Sequence, residues 1–338
     1  MSQGRRKSIL GLLVLAVLVI LGAFNLRKPR ILVLHSRSAD TAWVRGVDRG
    51  LQRVLTTNQY PVSVEWHHLG LDSARDGEDL LKALSGARRA IHTMDPHLIV
   101  AIDDEANRFV ARDYGKDGRT RILYASVDCD PESYAYPTAR WVTGIEERLP
   151  LSAIKECLGV IRPGRALRIH VVGGTSQTDR CELQQFQEFD WAPHEVVEIE
   201  RVRDFEGLQE VVRRAEDGIL IVLDCPRLQR RSGGWASSRE VVEEIQGNSR
   251  AIAVGLTVDF VELGGDIAFV PPSEANGTLA MGMALDWLKD LSPSAPPPPK
   301  RVMSHFDLAL RPARLRIRKV EVPQIYIEAA RNSGMLYP

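Results

Sequence analysis

The sequence predicts an α/β protein of two similar lobes, each built on a parallel sheet with helices packed over it and the two joined by a hinge. Three observations predict it. Short apolar runs of the kind that make buried strands, such as Leu98 to Ile102 and Ile122 to Val127, alternate with helical patterns along most of the chain. These two runs end in polar turns, Asp103-Asp104 after the first and Asp128-Cys129-Asp130-Pro131 after the second. The same rhythm restarts after Gly144-Ile145, which reads as a crossover into a second half. Ligands of open parallel sheets lie beyond the carboxyl ends of the strands, so function is expected at these turns.

Arg30 to His35 is the first strand, and Ser36 to Asp40 its polar exit. Trp43, Val47, Leu51, Val54 and Leu55 then recur near helical spacing, with Asp40 or Thr41 as cap. Val62 to Trp66 alternates as the second strand, and Asp72 to His92 makes a long amphipathic helix. The acidic turn after Leu98 to Ile102 opens a helix through Ala106, Phe109, Val110 and Tyr114. In the second half, helices over Pro150 to Val160, Thr178 to Phe189 and Phe205 to Ala215 alternate with strands over Leu167 to Val172, Val196 to Val202, Ile219 to Leu223 and Arg250 to Leu256. A helix over Glu274 to Leu291 follows, then the stiff proline-rich connector Pro293 to Pro299, a strand over His305 to Leu310 and a closing helix over Pro323 to Ser333.

Among 338 residues, 44 basic and 44 acidic side chains cancel, so no charge imbalance points to nucleic acid, and none is expected as a partner. Ser8 to Phe24 is uncharged and apolar between Arg5-Arg6-Lys7 and Arg27-Lys28-Pro29-Arg30. It reads as a signal peptide or a retained anchor, at the short end of what spans a core of about 30 Å. Cleavage after Ala23 would put Leu21 three residues back, and Phe24 stands where a lipoprotein carries cysteine, which favours the anchor. Cys129, Cys157, Cys181 and Cys225 have no C-x-x-C spacing, and whether they pair is left open. His67-His68 is not read as a ligand pair, because neighbours on a strand point to opposite faces. No metal or cofactor is expected. Walker, G-x-S-x-G, H-E-x-x-H, kinase and dinucleotide fingerprints are all missing, so the chain is read as a non-enzyme.

A strand opened by Asp95-Pro96-His97-Leu98-Ile99-Val100-Ala101, a helix, a strand ending in Val127-x-x-Asp130-Pro131, and then Val142-Thr143-Gly144 together resemble the substrate-binding proteins of ABC transporters with the type I periplasmic binding protein fold. The similarity is to the subgroup that binds aromatic or other amino acids, and it runs from about Arg30 to the C-terminus. It implies two Rossmann-like lobes with parallel sheets. Residues 1–29 would be the signal or anchor, 30–143 plus 266–292 lobe 1, and 144–265 plus 300–338 lobe 2. It also implies a small polar guest such as an amino acid, permease and ATPase subunits as partners, and an extracytoplasmic location, anchored to the inner membrane by residues 8–24. A membrane-anchored sensory or scaffold protein that kept the fold is the alternative.

By this resemblance the guest is met at strand exits, by Ser36, Ser38, Asp103, Asp128, Tyr134, Thr175 and Asp224. Ser36 and Ser38 offer hydroxyls at the first exit, and Tyr134, with Tyr136, an aromatic wall. Thr175 lies in Gly173-Gly174-Thr175-Ser176, a nest suited to a carboxylate. The chain departs from the family's pattern at several exits. Asp103-Asp104 replaces a Gly-Thr or Gly-Ser, which either shifts preference toward an ammonium or polyamine group or only caps the helix. Cys225-Pro226 replaces the partners expected after Asp224. Gly264 to Phe269 resembles a Gly-x-x-Ala-Ser-Tyr return segment, but Ala268 and Phe269 replace its serine and tyrosine. Trp235, in a basic loop, is either a ligand platform, a hinge wedge or part of a solvated loop.

Overall fold

The computed structural model describes residues 15–16, 28–73, 77–115, 119–136, 139–215, 217–224 and 227–338. All of the apolar segment Ser8 to Phe24 except Leu15 and Ala16 lies outside the described residues, and so does Cys225-Pro226. Among the described residues no helix is long and apolar enough to cross a membrane.

The first half forms β1 (Arg30–His35), α1 (Ala42–Thr57), β2 (Ser63–His68), α2 (Gly77–Met94), β3 (Leu98–Ile102), α3 (Asp104–Phe109), β4 (Arg121–Val127) and β5 (Val142–Glu147). The second forms α4 (Leu151–Ile161), β6 (Arg168–Gly173), α5 (Gln177–Glu188), β7 (Glu195–Arg201), α6 (Phe205–Arg214) and β8 (Ile219–Val222). It continues through β9 (Leu228–Gln229), β10 (Trp235–Ala236), α7 (Ser238–Asn248), β11 (Ile252–Gly255), α8 (Val258–Glu262) and β12 (Ile267–Val270). The chain ends in α9 (Ser273–Leu288), β13 (Arg301–Met303), β14 (Asp307–Leu310), α10 (Pro312–Ile317) and α11 (Gln324–Asn332).

Two six-stranded sheets result, ordered β13-β5-β4-β3-β1-β2 and β14-β12-β11-β8-β6-β7. Every pairing in the first is parallel. The second is parallel except for β14, which runs antiparallel to β12. Without the outermost C-terminal strand, each lobe has the doubly wound order 2-1-3-4-5, whose direction reverses between its first and third strands.

Sheet membership moves the expected lobe boundaries. β5 runs on to Glu147 within the first sheet, so the first crossover follows Glu147 rather than residue 143. β12 pairs with β11 and β14, so residues 267–270 belong to lobe 2, and the chain returns at Pro271-Pro272. Arg301–Met303 pairs with β5 and belongs to lobe 1, which makes a third crossover before β14. The physical reason is the connector. Proline cannot donate to a ladder, but its carbonyls accept: Thr143 Oγ1 reaches Pro298 O at 2.7 Å and Arg140 reaches Pro293 O at 2.7 Å. These bonds hold the connector on lobe 1 until β13 has paired.

Alternation along β1 sorts its side chains. Ile31 and Val33 pack with Val47 and Leu51 of α1 and with α9, while Leu32 and Leu34 pack with Leu84, Ala87 and Ile91 of α2. α1 and α9 approach closely because Gly50 and Gly277 lie at their contact. A Cβ at Gly277 would sit 2.0 Å from the Val47 carbonyl oxygen, and one at Gly50 2.0 Å from that of Glu274. Lobe 2 is held to its C-terminal helices by Asp266, fully buried. Its carboxylate accepts from Ala253 N at 3.0 Å and lies 2.6 Å from Arg318 Nε.

Candidate functional site

In lobe 1 the order reverses between β1 and β3, and in lobe 2 between β6 and β8. The four exits there are Ser36-Arg37, Asp103-Asp104, Gly173 to Ser176 and Leu223-Asp224. They face one another, because polar contacts join the lobes at this point. Arg37 Nε lies 3.3 Å from Asp103 Oδ2 in its own lobe, and Arg37 Nη1 lies 3.7 Å from Asp224 Oδ2 of lobe 2. Thr178 at the start of α5 donates to Asp104 Oδ2 at 2.8 Å, and Arg108 of α3 donates to Gln177 Oε1 at 2.6 Å. Gln185 of α5 accepts from Leu149 N at 3.0 Å and donates to the Asp128 carbonyl at 3.3 Å.

A disulfide adds a covalent tie. Cys129, just after β4, is bonded to Cys181 of α5, so the closed lobes are clamped beside the cleft. Cys157 is free and buried.

Carboxylates dominate the cleft. Asp103 and Asp104 are buried, and Glu105, Asp128, Glu147, Glu182 and Asp224 gather near them. Burial raises Asp103, opposed by Arg37. Burial, with Asp103 and Asp104 adding to it, pushes Glu105 up to about 8. Glu147 is pushed up to about 7 by burial, although Asn276 at the start of α9 donates to it at 2.7 Å. Burial first, then the surrounding carboxylates, hold Asp128 and Glu182 well above the ordinary range. Burial opposes the charge of Arg37, but Asp224, Asp103 and Glu105 outweigh it and raise the guanidinium. The site therefore holds several acids around one arginine. Acids held toward the protonated form in this way can ionise when an ammonium group is brought to them, and the arginine can take a carboxylate.

The residues singled out from sequence fall into two groups. Asp103, Asp128 and Asp224 lie in this cluster. The Asp128 Oδ1 atom is buried with no hydrogen-bond partner among the described residues. Asp103 has φ 75, and its Oδ1 accepts from Asp104 N at 2.7 Å. Left-handed backbone of this kind suits the glycine of the resembled pattern, and aspartate holds it at some cost in strain.

The other four are otherwise engaged. Ser36 Oγ donates to Ile102 O at 3.1 Å and accepts from Ala106 N at 2.8 Å, fastening β1 to β3 and α3. Ser38 is tied to Asp72 through its backbone N at 2.7 Å and its hydroxyl at 2.9 Å. Tyr134 is buried and its hydroxyl donates to Asp104, so it braces lobe 1 instead of forming a wall. Thr175 is exposed, and the nest it belongs to already holds an anion. Asp179 accepts from Ser176 N at 3.1 Å in a capping box, and a Cβ at Gly174 would lie 2.9 Å from the Asp179 carboxylate. Trp235 is 52% exposed in the β9–β10 ribbon under Arg227, so it is part of a solvated loop.

Arg37, Thr178, Glu147 and Glu182 were not singled out. Arg37 had a signal, being the one cation between two serines at the first exit. Glu182 had none, because a carboxylate on an amphipathic helix reads as solvated. Two grooves of about 670 and 560 Å³ lie against His194, at the amino ends of β6 and β7, and are thus at the opposite edge of the sheet from these exits.

No protein-family model matches the sequence, and no curated protein does. Solved structures do. A domain from Streptococcus pneumoniae in complex with L-Trp superposes with a TM-score of 0.68 at 17% identity, covering 92% of this chain and 100% of that one. A ligand-free, open substrate binding protein with adhesive properties from Clostridium difficile gives 0.63 at 16%, covering 87% and 96%. A sugar-binding protein of a sugar ABC transporter from Bacillus halodurans gives 0.58 at 13%, covering 84% and 97%. At these identities the likeness carries the architecture alone: the chain has the two-lobed α/β fold of periplasmic binding proteins of type I.

Proposed function

We propose that the chain is a non-catalytic solute-binding protein that serves an ABC transporter outside the cytoplasm, with permease and ATPase subunits as partners, and closes its lobes around a small cationic amino acid or amine. The observation that carries this reading is Arg37, held between Asp103 of one lobe and Asp224 of the other within a surplus of buried carboxylates. A guest's ammonium groups would pair with Asp103, Asp128, Glu147, Glu182 and Asp224, and its carboxylate, where it has one, with Arg37. Arg37, Asp103, Asp128 and Glu147 belong to lobe 1 and Glu182 and Asp224 to lobe 2, so only the closed form makes all of these contacts and binding favours closure. Lysine, arginine, ornithine, putrescine and spermidine, screened against glutamate, tryptophan and glucose, test this by thermal shift. The cations should raise the melting temperature by mass action. Stabilisation by glucose or glutamate alone, or by nothing in the set, would sink the reading.

The disulfide favours a second reading, a sensory or scaffold protein that keeps the fold and is held at the membrane by residues 8–24. A carrier must open to release its load, and Cys129–Cys181 opposes opening. Guest dissociation from the oxidised protein as fast as from the reduced protein would remove the support for this alternative.

A further inference from the structure

The sequence argues against His67-His68 as ligands because adjacent strand residues face opposite ways, and His67 does face α2, beside Gly86. Its neighbour has a different partner. β1 and β2 are parallel with His35 opposite His68, so both imidazoles project from the same face at the carboxyl ends of their strands. The rings stack at 4.7 Å with 4° between their planes. Asp48 of α1 reaches between them: His35 Nε2 is 3.0 Å from Asp48 Oδ1, and His68 Nε2 is 3.8 Å from Asp48 Oδ2.

We propose that His35, Asp48 and His68 form a binding site for a divalent transition-metal ion of the zinc type. One ligand atom from each of the three lies within 4.8 Å of the others. Two nitrogens on one tetrahedral zinc stand about 3.3 Å apart, so a contraction of up to about 1.5 Å brings the three ligand atoms onto one ion. Two imidazoles and one carboxylate suit zinc and its neighbours, and not calcium or magnesium, which take oxygen ligands.

The competing account is a polar cluster that satisfies itself. It covers Asp48 Oδ1, which accepts from His35 and from Trp66 Nε1 at 3.1 Å. It does not cover His68 Nε2, a buried atom with no hydrogen-bond partner among the described residues that faces a carboxylate oxygen beyond hydrogen-bond reach, nor His35 Nδ1, buried and likewise without a partner among them. An ion between His68 Nε2 and Asp48 Oδ2 gives the first of these its partner, and the Trp66 indole then orients the carboxylate from outside. The His35 side chain is fully buried, whereas those of His68 and Asp48 are 23% and 20% exposed. The ion therefore has a solvent-facing side, where a water completes the fourth position.

The test uses the full chain, stripped with EDTA, dialysed and titrated with ZnCl2 by calorimetry, with Co2+ in a parallel sample. One equivalent should bind with Kd of 10 µM or tighter, and Co2+ should show the visible bands of a four-coordinate nitrogen–oxygen site. H68Q and D48N should each weaken Zn2+ binding by about 10–100-fold, the usual size for loss of a ligating or orienting group. Their circular dichroism and guest binding should stay those of the parent, since neither residue lies in the acidic cleft. H67Q, from the opposite face, should bind as the parent does. Failure to take up one equivalent, or uptake that H68Q leaves unchanged, would overturn the proposal. If H68Q proves unfolded, D48N and the Co2+ spectrum decide it alone.

Discussion

The two lobes have the same strand order but place their polar groups differently. Lobe 1 binds its exits into a fixed network: Ser36 spans β1, β3 and α3, Tyr134 donates to Asp104, and Asn107 reaches Ala101 O at 3.1 Å and Asp103 O at 2.7 Å. Tyr136 closes the network on Asn107 at 2.5 Å. Lobe 2 meets it with a short loop whose nest is filled by its own Asp179 and whose carbonyls at Gly174 and Thr175 are held by Arg201. The difference teaches that lobe 1 ties its exits together through a network spanning several elements, whereas lobe 2 presents Thr178, Glu182 and Asp224 from a helix and a strand end. Preorganised polar groups lose less on binding.

The largest effect should come from the stability of lobe 2 itself. D266A leaves Arg318, 9% exposed at its side chain, without its carboxylate. Breaking one partner of a buried pair costs about 3–5 kcal/mol. Urea denaturation should show lobe 2 melting first, seen through Trp191, while the lobe 1 network persists. A single transition, with both lobes lost together, would mean that the lobes are not separate in stability.

Next is the clamp. Reduction, or C129S with C181S, should cost about 2–4 kcal/mol, as for other native disulfides that close loops of this order. The radius of gyration by X-ray scattering should rise without a guest and return on adding one. No change on reduction would assign closure to the non-covalent contacts, Arg37–Asp224, Thr178–Asp104, Arg108–Gln177 and Gln185–Asp128.

Y134F tests the lobe 1 network more finely. Removing the donor to a buried carboxylate costs about 1.5–3 kcal/mol. Guest affinity should fall with it, because Asp104 also holds Thr178 across the cleft and accepts from Cys129 N at 3.2 Å. Unchanged affinity at lowered stability would confine Tyr134 to bracing.

Much of this was legible in the sequence, because strands buried on both faces appear as apolar runs. Val33 and Val100 each sit in such a run and in the core. β13 was not legible: Arg301-Val302-Met303 has no pattern of its own and is a strand only because β5 offers an edge. At the site, strand ends pointed to the right turns but could not tell a hydroxyl spent on its own backbone, as in Ser36, from a group left for a guest. Register explains the other omission. His35 and His68 are 33 positions apart, and only the pairing of β1 with β2 brings them to one face.

The smallest effect separates the cleft from the rest by pH. Glu105 and Glu147, raised to about 8 and about 7 from an ordinary value near 4.5, bind protons in the folded protein that the unfolded chain has released. Stability from these two is therefore full below about pH 4.5 and is lost as pH rises through 7 and 8. Buried His35, held below its ordinary 6.5 by burial, acts oppositely, but only on the acid side of that value, so the clean window is pH 6.5–8. Across it the guest-free protein should lose about 1–2 kcal/mol, limited because the lobes can relax apart. E147Q should flatten the slope, and a cationic guest should reverse it, since ionised acids bind it better. A slope unchanged by E147Q would remove Glu147 from the titrating set and leave Glu105, Asp128 and Glu182 to carry it.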